Sequence, residues 1–284
     1  GGSFYYHSEL TASGVSPPVG PERGGTRVVV LGGSFRDSYT LRCGFGSGAA
    51  PVLARFVDEN QLECIAPFHL PGVVKVLLSM NGQQYMDSGA TYEYQSALSV
   101  SFVSPGSVLA EGGTPITVHG SGFSSASEAL GLLTCRIGSA VRRAVWASSS
   151  ALVCNTTRAM AGSARVEVSN NAREYTSDGV RIKLVSVRVL DVQPWSGPLS
   201  GATVVSVRAF GAWPGGLRCR FGDGASSAGW NAGGSSRLRC VTPPSSAGMA
   251  GWVSMQLSSF SGALSSGGSF YYHSELTASG VSPP

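Results

Sequence analysis

The chain has 284 residues, a formal net charge of +4, 42% apolar residues and 13% charged residues. With 39 glycines and 15 prolines, this composition excludes a coiled coil and a helical bundle, and so high an apolar content excludes a disordered chain. The longest apolar stretches, such as Val73-Val74-Lys75-Val76-Leu77-Leu78, are strand-sized and far short of the roughly 20 residues of a spanning helix. No membrane span is expected in this window.

Residues 1–18 recur without change at 267–284, an offset of 266. A shorter period lies inside the long one: Gly24-Gly25-Thr26 returns as Gly112-Gly113-Thr114 and as Gly201-Ala202-Thr203, each before an apolar run. The threonines are 88 and 89 residues apart, so three near-equal units fill the long period, the signature of a tandem array. We expect residues 1–8 to be the closing strand of a preceding repeat. Domains follow at 9–96, 97–184 and 185–274, and 275–284 open the next repeat.

Within each unit, strand signals dominate. Val74/Val76/Leu78, Val166/Val168 and Val253/Met255/Leu257 alternate at the same place in the three units and predict one half-buried strand each. Asn81-Gly82 and Asn170-Asn171 are hairpin-turn chemistry, and Ala90–Tyr94, Gly179–Lys183 and Ser269–Tyr272 are the closing strands. No helix of useful length is predicted. Gly44-x-Gly46 and Gly222-x-Gly224 read as turns in a strand context.

Two cysteines fall in each unit, Cys43 and Cys64, Cys135 and Cys154, Cys219 and Cys240, at separations of 21, 19 and 21. Six cysteines allow 15 connectivities. The repeat favours one of them, because equivalent positions should form equivalent in-domain bonds. Zinc is the competing reading, but no unit has the close ligand spacing of a tetrahedral site. Disulfides place the chain outside the cytosol, in an extracellular or cell-surface setting.

These residues resemble the immunoglobulin-like domains called IPT or TIG, found in plexins, receptor ectodomains and some transcription factors. The first unit carries Ser16-Pro17, Gly24-Gly25-Thr26, Gly32-Gly33-Ser34-Phe35, Cys43-Gly44-Phe45-Gly46 and Cys64-Ile65-Ala66-Pro67. The second lacks the Pro after Cys154-Asn155, and the third has lost the second Gly of the first motif. The resemblance implies an all-β chain of three tandem immunoglobulin-like sandwiches in an extended array. Such sandwiches need short alternating strands, turn residues at corners and a bond across the core.

Nothing in the sequence assembles a catalytic constellation, so no enzyme activity and no cofactor or metal is expected. His69, His119 and the copied pair His7 and His273 are scattered, and Asp58-Glu59 reads as a solvated turn. Positions 185–266 hold six arginines against Asp191 and Asp223, whereas 19–96 hold six basic and seven acidic residues. That unevenness reads as a solvated arginine-rich surface, with contact between units or neighbouring strands as the alternative; the disulfides and small total charge disfavour nucleic-acid binding.

Asn155-Thr156-Thr157 is an acceptor pattern for asparagine-linked sugar. Ser16-Pro17-Pro18, its copy Ser282-Pro283-Pro284 and Thr242-Pro243-Pro244-Ser245-Ser246 resemble the Ser-Pro-Pro acceptors of hydroxyproline-rich wall glycoproteins, against a plainer role stiffening junctions. Covalent glycans and further copies of the same repeat, in a covalent array or a filament, are the expected partners. The leading expectation is the shaft of an extracellular fibril, appendage or wall fibre. Its alternatives are the stalk of a receptor or adhesin ectodomain and an accessory module of a secreted carbohydrate enzyme. The last requires Trp195, Trp213, Trp230 and Trp252 to be exposed and coplanar; burial in the core is the competing reading.

Overall fold

The computed structural model describes residues 11–211, 217–223, 226–231, 237–258, 265 and 267–274. Strands dominate, with one short helix among the described residues. In the first domain the strands are β1 (Thr11–Ser16), β2 (Val19–Pro21), β3 (Arg27–Gly33), β4 (Arg42–Phe45), β5 (Val52–Asp58), β6 (Gln61–Ile65), β7 (Gly72–Ser79) and β8 (Met86–Gln95). Their order is β1-β3-β6-β5-β4-β7-β8-β2. The row folds over through β5, which pairs with β6 on one side and β4 on the other.

The second domain contributes β9 (Ser99–Ser104), β10 (Ser107–Leu109), β11 (Pro115–Ser121), helix α1 (Ser125–Ala129), β12 (Thr134–Ile137), β13 (Ala140–Arg143), β14 (Val145–Ser148), β15 (Ala151–Asn155), β16 (Gly162–Ser169) and β17 (Arg181–Val185). The third contributes β18 (Arg188–Gln193), β19 (Ser196–Pro198), β20 (Val204–Phe210), β21 (Arg218–Phe221), β22 (Ser226–Ala228), β23 (Trp230–Asn231), β24 (Arg237–Val241), β25 (Gly251–Ser258) and β26 (Gly268–His273). Each forms a four-stranded and a five-stranded sheet. The place that β5 occupies as one strand is taken by two short ones, β13 and β14 or β22 and β23, which divide between the two sheets.

The alternating valines and leucines lie in β7, β16 and β25, whose burial patterns are identical over their inner halves. Asn81-Gly82 closes the β7–β8 hairpin, with Gly82 at φ 72°. Gly46 (φ 73°) and Gly222 (φ 59°) turn, as their sequence context predicts, but Gly44 lies in β4 opposite Leu77. A side chain at Gly44 would press on Leu77, so the position needs a small residue in a strand. Gly224 lies outside the described residues.

The sulfurs of Cys43–Cys64, Cys135–Cys154 and Cys219–Cys240 are bonded, with Cα separations of 6.4, 6.3 and 6.2 Å. The bonds link β4 to β6, β12 to β15 and β21 to β24, each across the core and fully buried. In the first domain Cys43 and Cys64 pack among Val28, Phe45, Leu62, Val76 and Tyr92.

The first glycine of the Gly-Gly-Thr motif has a steric reason. A Cβ on Gly24 would stand 2.5 Å from the Pro67 carbonyl carbon, on Gly112 2.4 Å from the Arg158 nitrogen, and on Gly201 2.5 Å from the Pro243 carbonyl carbon. The loop thus lies against backbone just beyond the second cysteine. At the next position Gly25 and Gly113 have φ 88° and 75° with open space around them, and Ala202 holds the same left-handed conformation at φ 61°.

The described chain forms two compact units. One comprises residues up to Phe102 with Thr117–Cys154 and Val166–Val180; the other comprises Val103–Ile116, Asn155–Arg165 and the chain from Arg181 onward. The first contains the whole first domain and one end of the second.

Candidate functional site

The most elaborated constellation lies inside the first unit, where the first domain meets the end of the second. Two short backbone devices prepare it. In the first domain β2 runs parallel to β8, Gly20 opposite Tyr94, and a Cβ on Gly20 would fall 1.9 Å from the Tyr92 hydroxyl and 2.6 Å from the Thr26 Oγ1. Gly20 therefore lets Thr26 and Tyr92 sit side by side under β2. The equivalent positions hold Gly197 against Phe270 in the third domain and Val108 where Ile182 replaces the aromatic ring in the second. A small ring-facing residue accompanies a large ring, and a larger one accompanies isoleucine.

The second device is the turn after β16. Asn171 Oδ1 accepts from the backbone N–H of Arg173 and of Glu174, both at 3.1 Å, and from Ser169 Oγ at 3.0 Å. This side-chain capping of a tight turn is what asparagine does well, and Ala172 takes φ 58° to complete it. Asn171 is 3% exposed, because its other end reaches the first domain.

There Asn171 Nδ2 donates to the Val19 carbonyl at 3.3 Å and to Glu174 Oε2 at 2.5 Å. Glu174 Oε2 also accepts from Thr26 Oγ1 at 2.9 Å. Thr26, at 0% exposure, is thus held by a carboxylate from 148 residues away. Four further bonds support the clasp. Glu22 Oε1 accepts from the Ala97 N–H at 3.2 Å. Gln95 Nε2 donates to Ser124 Oγ at 3.2 Å and Ser127 Oγ at 3.1 Å, tying the end of β8 to helix α1. Asp178 Oδ2 accepts from the Val100 N–H at 2.8 Å.

Beside the clasp a pocket of about 160 Å³ is lined by Arg23, Ser96, Leu98, Asn170, Tyr175 and Ser177, among others. Tyr175 is fixed by its hydroxyl's bond to Thr134 Oγ1 at 3.0 Å and by the Arg136 guanidinium 4.3 Å above its ring. Arg136 is in turn paired with Glu167 at 2.7 Å. The carboxylates here are each engaged by N–H or O–H donors, and among the described residues no group of three metal-ligating side chains converges. The arrangement joins two domains.

The singled-out residues fall as follows. Asn155 is exposed at the end of β15, Pro18 and Pro243 are half-buried, Pro244 is exposed and Pro17 is buried; Pro283 and Pro284 lie outside the described residues. His69 stacks on Tyr94 at 4.9 Å and His119 on Phe102 at 4.3 Å. Asp58 Oδ1 caps its own turn by accepting from the Asn60 N–H at 2.7 Å. Burial of the tryptophans in the third-domain core is not what the structure has. Trp195, Trp230 and Trp252 are 58%, 45% and 64% exposed, and Trp213 lies outside the described residues. Trp252 alternates outward on β25, where its neighbours Val253 and Met255 take the inward places. The Trp195 and Trp252 rings are 5.8 Å apart and 20° from parallel, with Tyr271 beside them.

Human plexin-A4 is 26% identical over 151 residues, 50% of this chain, and human fibrocystin-L is 26% identical over 181 residues, 61% of it. These matches span only 8% and 4% of those much longer proteins. A solved structure of the full extracellular region of plexin A4 superposes with a TM-score of 0.48 and 18% identity, covering 83% of this chain and 21% of that one. The three disulfides belong to an oxidising compartment, and the chain is extracellular. The IPT/TIG domain model matches residues 10–94 and 98–183, more than half of the sequence, and the chain belongs to the IPT/TIG domain family.

Proposed function

We propose that this chain is part of the stalk of an extracellular receptor or adhesin, in which tandem IPT/TIG domains hold a binding head away from the surface and do no chemistry of their own. The observation that carries this reading is the clasp of Asn171 and Glu174 on Val19 and Thr26. A buried, multiply bonded junction suits a spacer whose successive domains must keep one orientation. The relatives support the stalk over the fibril shaft, since plexin-A4 and fibrocystin-L share such domains as small parts of long chains. The unchanged 18-residue recurrence supports the shaft as the second reading, because neighbours in a filament must all be alike.

Sugar on exposed Asn155 and on Pro18 or Pro244 would solubilise a surface with so few charges. Mass spectrometry of the natural protein tests this, with a mass above the polypeptide expected. Non-reducing peptide mapping tests the three disulfides in the same sample. Negative-stain imaging of native material separates the two functional readings: a stalk ending in a distinct globule is expected, and uniform fibres without a head would replace it with the shaft.

A further inference from the structure

The hairpin that clasps the first domain has a twin. Ser79-Met80-Asn81-Gly82-Gln83-Gln84-Tyr85 matches Ser169-Asn170-Asn171-Ala172-Arg173-Glu174-Tyr175 position for position. Asn81 Oδ1 accepts from the N–H of Gln83 at 2.9 Å, the N–H of Gln84 at 3.0 Å and Ser79 Oγ at 3.2 Å, as Asn171 does in its own turn. Asn81 Nδ2 donates to Gln84 Oε1, as Asn171 Nδ2 donates to Glu174. Gly82 has φ 72° where Ala172 has φ 58°. One difference remains: Asn171 is buried against the first domain, whereas Asn81 and Gln84 are exposed. The device is preformed, and among the described residues the Asn81 and Gln84 side chains clasp nothing outside their own hairpin.

What it fits is set by the clasp already seen. Asn171 and Glu174 take the carbonyl of the residue opposite the closing strand in β2 and the threonine of the Gly-x-Thr loop. In the third domain these places are Ser196, opposite Tyr271 as Val19 is opposite Glu93, and Thr203. Both are half-buried, where Val19 and Thr26 are buried. Third domain followed by first is also an order written in the sequence, since Ser274–Pro284 repeats Ser8–Pro18, which leads into the first domain.

We propose that the first-domain hairpin docks onto the third domain of a second copy of this sequence. The Asn81 side-chain amide donates to the Ser196 carbonyl, and the Thr203 hydroxyl donates to Gln84 Oε1. The third domain has Phe260 at the asparagine position, so the clasp belongs to some junctions of the array and not to all.

The test is a titration of ¹⁵N-labelled chain with unlabelled chain up to about 1 mM, the effective concentration a short tether supplies. The side-chain amide signals of Asn81 and Gln84 are expected to move. Unlabelled Thr203→Val chain should bind about five-fold more weakly, the loss of one hydrogen bond. Gln84→Glu in the labelled chain should bind more tightly, because a carboxylate accepts the stronger bond. Asn81→Ala, an exposed change, should abolish the movement at Gln84. Unmoved Asn81 and Gln84 signals at 1 mM, or movement undiminished by Thr203→Val, overturn the proposal.

Discussion

Thr26 and Glu174 stand 148 residues apart in sequence and 2.9 Å apart in space, the threonine hydroxyl donating to the carboxylate. The same Glu174 oxygen accepts from the Asn171 amide, so one carboxylate gathers a donor from each of two domains. Asn171 is the centre of this arrangement, bonded at both ends of its amide. Asn171→Ala should lower the unfolding free energy of the first unit, read from urea titration, by about 2 kcal/mol for a buried amide with several partners. A change within error would mean that water replaces those bonds at no cost.

Gly20 makes room for the Tyr92 hydroxyl, 1.9 Å from where a Cβ would stand. Gly20→Ala should destabilise by about 1–3 kcal/mol through overpacking. Adding Tyr92→Phe removes the clashing oxygen and should recover much of that loss. A double-mutant cycle by thermal unfolding measures the coupling, and simple additivity would show that the clash is relieved elsewhere.

Ala202 occupies a left-handed conformation, φ 61°, where the other two domains have glycine. An L-residue there costs roughly 1–2 kcal/mol, so Ala202→Gly should raise the stability of the third domain by about 1 kcal/mol. Unchanged unfolding would imply that the greater freedom of glycine in the unfolded chain cancels the gain.

Burial pushes the Tyr92 hydroxyl up to about 12 and raises those of Tyr94 and Tyr272. Because these folded values lie above the unfolded value of roughly 10, the stability they contribute is complete below about pH 10. It is lost as pH rises toward 12. Alkaline unfolding monitored by tyrosinate absorbance should therefore begin near pH 10, and Tyr92→Phe should flatten that limb. A Tyr92→Phe chain with an unaltered alkaline limb would remove Tyr92 from this account.

Much of the fold was legible because periodicity and turn chemistry are local. Val74/Val76/Leu78 alternate in sequence as they do in β7, and Asn81-Gly82 names its own turn. The repeat supplied the expectation that Cys43 would meet Cys64 rather than Cys135. The clasp was not legible, because Asn170-Asn171 carries the signal of an ordinary turn and nothing near it points to Val19 or Thr26. Comparing Ser-x-Asn-x-x-Glu/Gln-Tyr between the first two domains would have marked the turn as a shared device, though not its target. Trp195 and Trp252 went the other way. Large apolar side chains suggested the core, but the alternation that turns Val253 and Met255 inward obliges Trp252 to face outward, a pattern the sequence already contained.

The central claim, that the clasp makes one body of the first domain and the adjoining end of the second, is tested most directly by ¹⁵N relaxation. Amides of β3 and β7 should report the same rotational correlation time and diffusion axes as amides of β12 and β15. Asn171→Ala should separate the two sets. Distinct tumbling of the two sets in the unaltered chain would contradict the account.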